Sequence, residues 1–312
     1  MTQASALGRK DIPAKKYRLG FFAELRKNKV SYLMMLPYLV LFVVLVVLPV
    51  VVAIGMSFCY YNVIEPPRFI GWSNYMQLFL EDDVFLIALK NTLLFAVITG
   101  PVSYFMCLLF AWLINELRPK VRAVATLLFY VPSISGNVYY IWKYIFSGDS
   151  YGLINGILMR LGVLKEPILF LSDPTYTLTV IIIVQLWMSL GTSFLAFIAG
   201  LQCVDRSMLE AGAVDGIRNR FQELYYITLP SMKPQLMFGA VMQISATFGV
   251  GAICTALVGF PSPLYSAHTI VLHMEDYGVM RYEMGYASAI AVVLFAMTMG
   301  CNLVVQKFLR ED

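Results

Sequence analysis

Polar and aromatic side chains recur inside otherwise uncharged stretches of this 312-residue sequence. Such groups can bind a solute rich in hydroxyls, because amides and hydroxyls bond its oxygens and aromatic rings cover its apolar faces. Seven residues are candidates for lining a solute path: Asn137, Tyr139, Gln185, Trp187, Gln243, Ser245 and Thr247. Polar residues in apolar helices also bond neighbouring helices, so each of the seven has that alternative role.

Residues that usually carry catalysis or metal binding are sparse. No lysine follows a glycine, which excludes a P-loop, and neither an HExxH zinc motif nor a GxSxG nucleophile elbow occurs. The two histidines, His268 and His273, are expected to be solvated loop residues, and zinc chemistry is not expected. The five cysteines show no CxxC spacing and are expected to pack as small apolar groups. We therefore predict no enzymatic activity, no metal site and no cofactor bound by this chain.

The candidate path residues lie in long uncharged runs. Only 13% of the residues are charged, against about 25% in soluble domains. A membrane-spanning helix needs about 20 apolar residues. Six charge-free runs reach that length: 30–64, 91–115, 123–142, 174–204, 234–274 and 284–306. Gly259, Pro261 and Pro263 are expected to break the fifth run near its end. The sequence predicts an all-α integral membrane protein with six transmembrane helices.

Lysine and arginine are distributed unevenly between the two sides of this predicted bundle. They are frequent before the first helix, in the loops after helices 2 and 4, and at the C-terminus, and they are rare in the opposite loops. This bias places both termini and the loop between helices 4 and 5 in the cytoplasm. The net charge of +4 is thus a topology signal, and no nucleic-acid partner is expected. We predict a cytoplasmic tail at 1–30, with a possible interfacial helix, and a transmembrane domain at 31–309.

No acidic or basic residue lies inside a predicted span. Proton-coupled pumps and ion-coupled carriers usually need intramembrane charges, so their absence disfavours energy coupling within this chain. An uncharged path also suits a neutral sugar better than a phosphate or an amino acid. The sequence therefore indicates a transmembrane path that is either passive or driven by another, cytoplasmic, component.

Residues 205–230, hereafter the charged segment, form the longest predicted cytoplasmic loop. Val214, Ile217, Phe221 and Leu224 recur at helical spacing and predict one apolar face. Gly216 suits the bend of a helix–turn–helix, because glycine tolerates backbone conformations that other residues avoid. The pattern predicts a short, rigid helical projection that either docks on a partner or is a solvated amphipathic linker.

The charged segment resembles the EAA loop of permease subunits from binding-protein-dependent ABC importers. That loop reads Glu-Ala-Ala, three residues, Gly, and then Ile-x-Leu-Pro. The residues at the corresponding positions are Glu210, Ala211, Gly212, Gly216, Ile227, Leu229 and Pro230. Gly212 replaces the second alanine, and the spacer after Gly216 is one residue longer than usual. Residues 142–162, 194–216 and 285–295 resemble the carbohydrate branch of these permeases, whereas 258–269 departs from its usual Gly-Gly-Pro.

The resemblance implies a bacterial plasma-membrane permease that carries a sugar or oligosaccharide. It implies a second permease subunit, a cytoplasmic ATPase dimer that binds ATP and Mg²⁺, and an extracellular solute-binding protein. The residues implied to contact the ATPase are Glu210, Ala211, Gly212, Asp215, Gly216, Ile217 and Phe221.

Two alternatives to a sugar importer stay open at the level of sequence. The same machinery could carry a non-sugar cargo, such as a glycerol phosphoester or a modified glycan, with charges supplied by the partner permease. The chain could also be a stand-alone carrier or channel, since only the charged segment and the family resemblance separate these classes and hydropathy does not.

Overall fold

The computed structural model describes residues 28–136 and 138–310, with the backbone alone at Arg310. The predicted tail up to residue 27, most of its possible interfacial helix, and Asn137 lie outside the described residues. Contacts divide the chain into two units, Met1–Val52 and Ala53–Asp312. The described part of the first unit is a single apolar helix.

The described residues are mostly helical, with one short antiparallel pair of strands, β1 (Cys59–Tyr60) and β2 (Arg68–Phe69). The helices are α1 (Lys29–Met56), α2 (Ser73–Leu80), α3 (Asp83–Asn115), α4 (Pro119–Ile134), α5 (Val138–Ile145), α6 (Leu153–Arg160), α7 (Pro174–Met188), α8 (Thr192–Gln202), α9 (Arg206–Val214), α10 (Arg220–Glu223), α11 (Lys233–Phe248), α12 (Ala252–Val258), α13 (Ile270–Glu275) and α14 (Met284–Arg310). α10 continues through a π-helical turn, Leu224–Thr228, and a last short turn, Leu229–Ser231. A 3₁₀ turn, Pro263–Tyr265, precedes α13, and a π-helical turn, Asp276–Met280, follows it.

Four helical stretches among the described residues are long and apolar enough to cross a membrane. They are Lys29–Met56, Asp83–Asn115, Pro174–Gln202 and Met284–Leu309. The number rises to six if α4 with α5, and α11 with α12, are each counted as one bent span. The structure therefore shows four to six candidate spans at the positions of the uncharged runs.

The fifth uncharged run breaks earlier than its prolines predicted. α11 ends at Phe248, and α12 begins at Ala252 with a bend of 44° between the two. Gly249 and Gly251 flank this break, where glycines lower the cost of leaving the helical conformation. A second interruption follows at Gly259, whose φ of 90° falls in the region that favours glycine.

The longest described helix, α3, is fixed at its start by a side-chain cap. The Asp82 carboxylate accepts a hydrogen bond from the Phe85 backbone amide at 2.9 Å, which satisfies one of the free amides of the first helical turn. The helix then runs 33 residues, through Pro101, to Asn115. α3 thus runs from one end of the bundle, hereafter the Asp83 end, to the other, hereafter the Asn115 end.

Three clusters of buried apolar side chains hold the second unit together, and α3 contributes to all of them. One cluster packs α3 on α7 and α12, with Phe95, Val184 and Cys254. The next packs α3 on α8, with Cys107 and Phe197. The third lies at the Asp83 end and joins α2 and α3 to α13 and α14.

Candidate functional site

The charged segment folds as two short helices with a turn between them, as its residue pattern predicted. Asp205 caps α9 by accepting a hydrogen bond from the Ser207 amide at 3.0 Å, which lowers the pKa of that carboxyl. Asn219 caps α10 by accepting from the Gln222 amide at 2.8 Å. Gly216 lies between the helices with a φ of 100°, a conformation that strains other residues.

The predicted single apolar face across 214–224 is wrong. Val214 is 88% exposed and Phe221 is 72% exposed, whereas Ile217 and Leu224 are half-buried on the inner side. The turn at Gly216 interrupts the helical period, so residues before and after it do not share one helix face. Of the other predicted contact residues, Glu210, Ala211 and Asp215 are exposed as well.

Gly212, the departure from the usual alanine, is buried under the segment's own isoleucines. A Cβ atom at this position would overlap the Cδ1 atom of Ile227 and would lie 3.0 Å from that of Ile217. These two side chains occupy the space that an alanine methyl group would take. An alanine here would require the ends of both isoleucine side chains to move.

The charged segment is fastened to the Asn115 end of α3. The Phe221 ring lies 5.2 Å from the ring of Trp112, measured between centroids. The Arg220 guanidinium lies 3.3 Å from Glu116 and 3.0 Å from Glu223. Exposed ion pairs contribute little on their own, so the ring contact is expected to contribute more than these ion pairs do.

A polar cavity of about 330 Å³ lies where the charged segment meets the ends of the bundle helices. It is lined by residues of both signs, among them Glu116, Arg122, Arg206 and Glu223. Arg122 donates to Asn115 at 3.1 Å, which ties the start of α4 to the end of α3. The charged segment therefore borders a polar cavity where it meets the bundle.

The structure places the predicted path residues in two kinds of surroundings. Gln243 is buried, and its amide accepts from Ser103 at 3.3 Å and donates to Cys107 and the Ser189 carbonyl at 3.1 and 3.3 Å. Thr247 is also buried and donates to carbonyls of its own helix. The polar atoms of these two residues thus bond within the chain. Nothing in the sequence near Gln243 indicates its three partners.

The remaining described path candidates are at least partly open. Ser245 is exposed, and Tyr139 and Gln185 are half-buried. Trp187 is 39% exposed, and its ring lies 5.2 Å from that of Trp142 in an edge-to-face arrangement. The open candidates lie on α5, α7 and α11, and the structure does not gather them with Gln243 and Thr247 into one polar cluster.

All five cysteines are free thiols. Cys107 and Cys254 are fully buried in the apolar clusters, which confirms the predicted packing role for these two. Cys203 and Cys301 are exposed, so the prediction that they pack within the chain is wrong.

The prediction that both histidines are solvated is wrong. His268 and His273 are 1% and 2% exposed. His268 Nε2 lies 3.1 Å from His273 Nδ1, and His273 Nε2 lies 3.0 Å from an Asp82 carboxylate oxygen. Tyr286 also donates to that oxygen, at 2.8 Å. The chain of contacts joins the loop before α13 to the first residues of α3 and α14.

The protonation of this cluster follows from its surroundings. Burial alone would raise the pKa of Asp82, but hydrogen bonds from His273, the Phe85 amide and Tyr286 outweigh it and hold the pKa below its usual range. Burial and the neighbouring His273 lower the pKa of His268 to about 4. The buried Nδ1 atom of His268 has no hydrogen-bond partner among the described residues. A neutral His268 with its proton on Nε2 fits this arrangement, because a second proton on Nδ1 would have no acceptor.

The region described by the structure contains no group of three or more His, Cys, Asp or Glu side chains placed to hold a metal ion. The histidine pair with Asp82 instead forms a hydrogen-bonded tie. Asn91 of α3 supports the same loop by donating to the carbonyls of Tyr265 and His268 at 3.1 and 2.9 Å.

Comparison with known proteins identifies the class to which this fold and this charged segment belong. Residues 108–309 match the family described as "binding-protein-dependent transport system inner membrane component", and the chain belongs to that family. It is therefore a multi-pass protein of the bacterial inner membrane.

Particular relatives cover nearly all of the chain. A probable ABC transporter permease protein, YesP of Bacillus subtilis, is 32% identical over 276 residues, 87% of each chain. The sulfoquinovosyl glycerol transport system permease protein SmoG of Agrobacterium fabrum is 28% identical over 92% of each chain. A subunit in the crystal structure of a bacterial ABC transporter that imports the acidic polysaccharide alginate has the same fold, with a TM-score of 0.75 at 23% identity, covering 93% of this chain and 98% of that one.

The lowered pKa of His268 predicts that the tie at the Asp83 end weakens in mild acid. When the loop opens, His268 regains its usual pKa near 6.5 and takes up a proton that the packed loop excludes. The loop before α13 is therefore equally stable at any pH above 6.5. Between pH 6.5 and 4, the equilibrium constant for packing this loop falls by up to about tenfold for each pH unit. Hydrogen exchange of residues 262–273, corrected for the intrinsic effect of pH, measures this loss.

The matched control for this pH dependence is His268→Leu, which replaces the titrating ring with an apolar side chain of similar bulk. Its exchange protection is expected to stay constant over the same pH range. Equal losses of protection in the variant and the parent would show that His268 is not the source.

Proposed function

We propose that this chain is a permease subunit of an ATP-driven importer and that the charged segment is where a separate ATPase drives it. The observation that carries the proposal is a rigid helix–turn–helix with exposed Glu210, Val214 and Phe221, attached to the longest membrane helix. ATP and Mg²⁺ would be bound by the ATPase, since this sequence has no P-loop.

The attachment suggests how movement passes from the ATPase to the bundle. When a partner shifts the charged segment, the Trp112–Phe221 contact and the Arg220–Glu116 pair pull on the Asn115 end of α3. α3 packs in all three apolar clusters, so its displacement changes the packing of α7, α8 and α14. The charged segment thus acts as a lever on the helix that organises the second unit.

The proposed membrane topology has six spans with both termini in the cytoplasm. Counting α4 with α5 and α11 with α12 as bent spans gives six. The charged segment lies at the Asn115 end of α3, and the lysines and arginines around it mark that end as cytoplasmic. The proposed domains are the tail 1–30 and the transmembrane domain 31–309, which includes the charged segment.

The proposed cargo is a sugar or an oligosaccharide. Support comes from SmoG, whose name specifies sulfoquinovosyl glycerol, from the alginate importer, and from spans that contain polar but uncharged side chains. A structure of similar fold, a bacterial alginate ABC transporter, is in complex with a periplasmic protein that holds an alginate pentasaccharide. The proposal therefore includes a solute-binding protein on the outer side and a second permease subunit.

We assign the path to the open candidates Tyr139, Gln185, Trp187 and Ser245, together with Asn137. The partial or full exposure of the four described residues, Tyr139, Gln185, Trp187 and Ser245, within candidate spans supports the assignment. Gln243, whose amide bonds residues outside its own helix, is assigned to holding helices together. Thr247, whose hydroxyl donates to carbonyls of its own helix, is assigned to local packing.

The variant Glu210→Lys tests the coupling proposal. Reversing an exposed charge on a docking surface is expected to cost about 1.4 kcal/mol or more in ATPase binding, which reduces ATP-dependent uptake about tenfold. The amount of permease in the membrane should not change, because Glu210 lies outside the apolar core. Uptake of labelled sugar into proteoliposomes that contain the whole transporter measures the effect.

The matched control is Glu65→Lys, the same charge reversal at an exposed glutamate near the Asp83 end. It is expected to leave uptake close to that of the parent protein. Normal uptake in the Glu210 variant, or an equal loss in both variants, would contradict the coupling role.

The paired variants Trp187→Leu and Gln243→Leu test the division of the path residues. An aromatic contact is worth about 1 kcal/mol, so Trp187→Leu should lower the uptake rate several-fold at saturating binding protein, with only the small fall in melting temperature that loss of the Trp142 contact causes. Gln243→Leu should lower the melting temperature instead, because Ser103 and the Ser189 carbonyl lose a buried partner. The reverse pattern would place Gln243 in the path and Trp187 in the packing.

A further inference from the structure

The short helix α2 lies between two helices that are long and apolar enough to cross the membrane. α1 ends at Met56 and α3 begins at Asp83, so the chain between them emerges at one edge of the bilayer. The Asn74 amide donates to the carbonyls of Ser57 and Cys59 at 2.8 and 3.0 Å, directly after the end of α1. These bonds fix α2 at the level where the chain leaves the apolar layer.

The opposite side of α2 is fixed at the same level by apolar packing. Leu78 is fully buried in a cluster with Ile270, Tyr286 and Ile290. Tyr286 belongs to the first turn of α14, where that span begins. α2 is therefore held beside the ends of the spanning helices and does not project away from the bundle.

The surface of α2 divides into three sectors, because successive helical residues are about 100° apart. Asn74 and Leu78 face the bundle and are buried. A second sector is apolar yet exposed, with Trp72 at 65%, Met76 at 54% and Leu80 at 79%. Phe79 falls within this sector and is 44% exposed. The third sector, also exposed, is polar and consists of Ser73, Gln77 and Glu81.

We propose that α2 is an interfacial membrane anchor. Trp72, Met76, Phe79 and Leu80 insert into the boundary between lipid headgroups and acyl chains, and the polar sector faces water. An apolar sector beside a polar one is the pattern of a helix that lies in the plane of a membrane surface. The Trp72 ring packs on Phe58 and Tyr75, with centroids 5.1 and 5.3 Å away. Tryptophan side chains are enriched at the level of the lipid headgroups.

The bilayer accounts for both exposed sectors at once, which favours lipid over a protein partner. The apolar side chains lie at the level of the span ends, where lipid surrounds the bundle, and the polar strip lies between them and the buried face. The anchor also has a structural consequence. Glu81 alone separates α2 from Asp82, so the depth of α2 in the bilayer sets the position of the carboxylate that receives His273.

Two neighbouring residues provide a matched test, because Met76 lies in the exposed apolar sector and Gln77 lies in the polar one. Met76→Cys and Gln77→Cys are each made in the full chain with the native cysteines replaced by alanine, and each is spin-labelled. The protein, with any subunits that copurify, is placed in vesicles of phosphatidylethanolamine and phosphatidylglycerol. Collision with oxygen, which concentrates in lipid, is compared with collision with a water-soluble nickel chelate.

The expected result is a several-fold higher ratio of oxygen to nickel collision for the label at 76 than for the label at 77. Similar ratios at the two positions, with ready access of the nickel chelate to both, would overturn the proposal by showing that α2 lies in water. A label at 76 shielded from both reagents would also overturn it, because a protein would then cover the apolar sector. A parallel measurement of Trp72 fluorescence, as the difference between parent and Trp72→Phe, should show quenching by brominated lipid and little quenching by acrylamide.

Discussion

The bilayer core offers no water to hydrate a peptide group, so every backbone amide and carbonyl inside it must find its hydrogen-bond partner within the protein. This constraint makes the chain helical and leaves only the helix ends free for ionised side chains. α3 shows the result most clearly, since it crosses the whole bundle between two polar clusters. At its start Asp82 receives His273 and Tyr286, and at its end Trp112 and Glu116 hold the charged segment.

α3 therefore connects two regions with different duties. At the Asn115 end, the exposed charged segment contacts Trp112, and in the proposed mechanism this contact passes the movement of a cytoplasmic ATPase to the helix. At the Asp83 end, the buried carboxylate and histidines hold the loop before α13 in one arrangement. Between these ends the path needs uncharged polar and aromatic groups, and the membrane excludes the charges that would drive transport within this chain. These physical limits agree with the proposed division of transport between this permease and a separate ATPase.

The uncharged runs and the two short helices of the charged segment could be predicted because hydropathy, the spacing of apolar residues and the position of a glycine are local signals. The break between α11 and α12 was missed, since Gly249 and Gly251 do not interrupt an apolar run. Burial of the histidines was missed because the partner of His273 is Asp82, 191 positions away. The partners Ser103 and Cys107 of Gln243 are likewise 140 and 136 positions away. The prediction of one apolar face across 214–224 was wrong because the positive φ of Gly216 ends one helix, and the next helix begins with a different orientation.

The most direct test of the central claim is to extract this chain from its native membrane in a mild detergent and to identify by mass spectrometry the proteins that stay bound. The account predicts a second multi-span permease and a soluble ATPase with a P-loop, and it predicts that Glu210→Lys retains the permease and loses the ATPase. A chain that is extracted alone or only with copies of itself, and that still transports solute, would contradict the claim that a separate ATPase drives it through the charged segment.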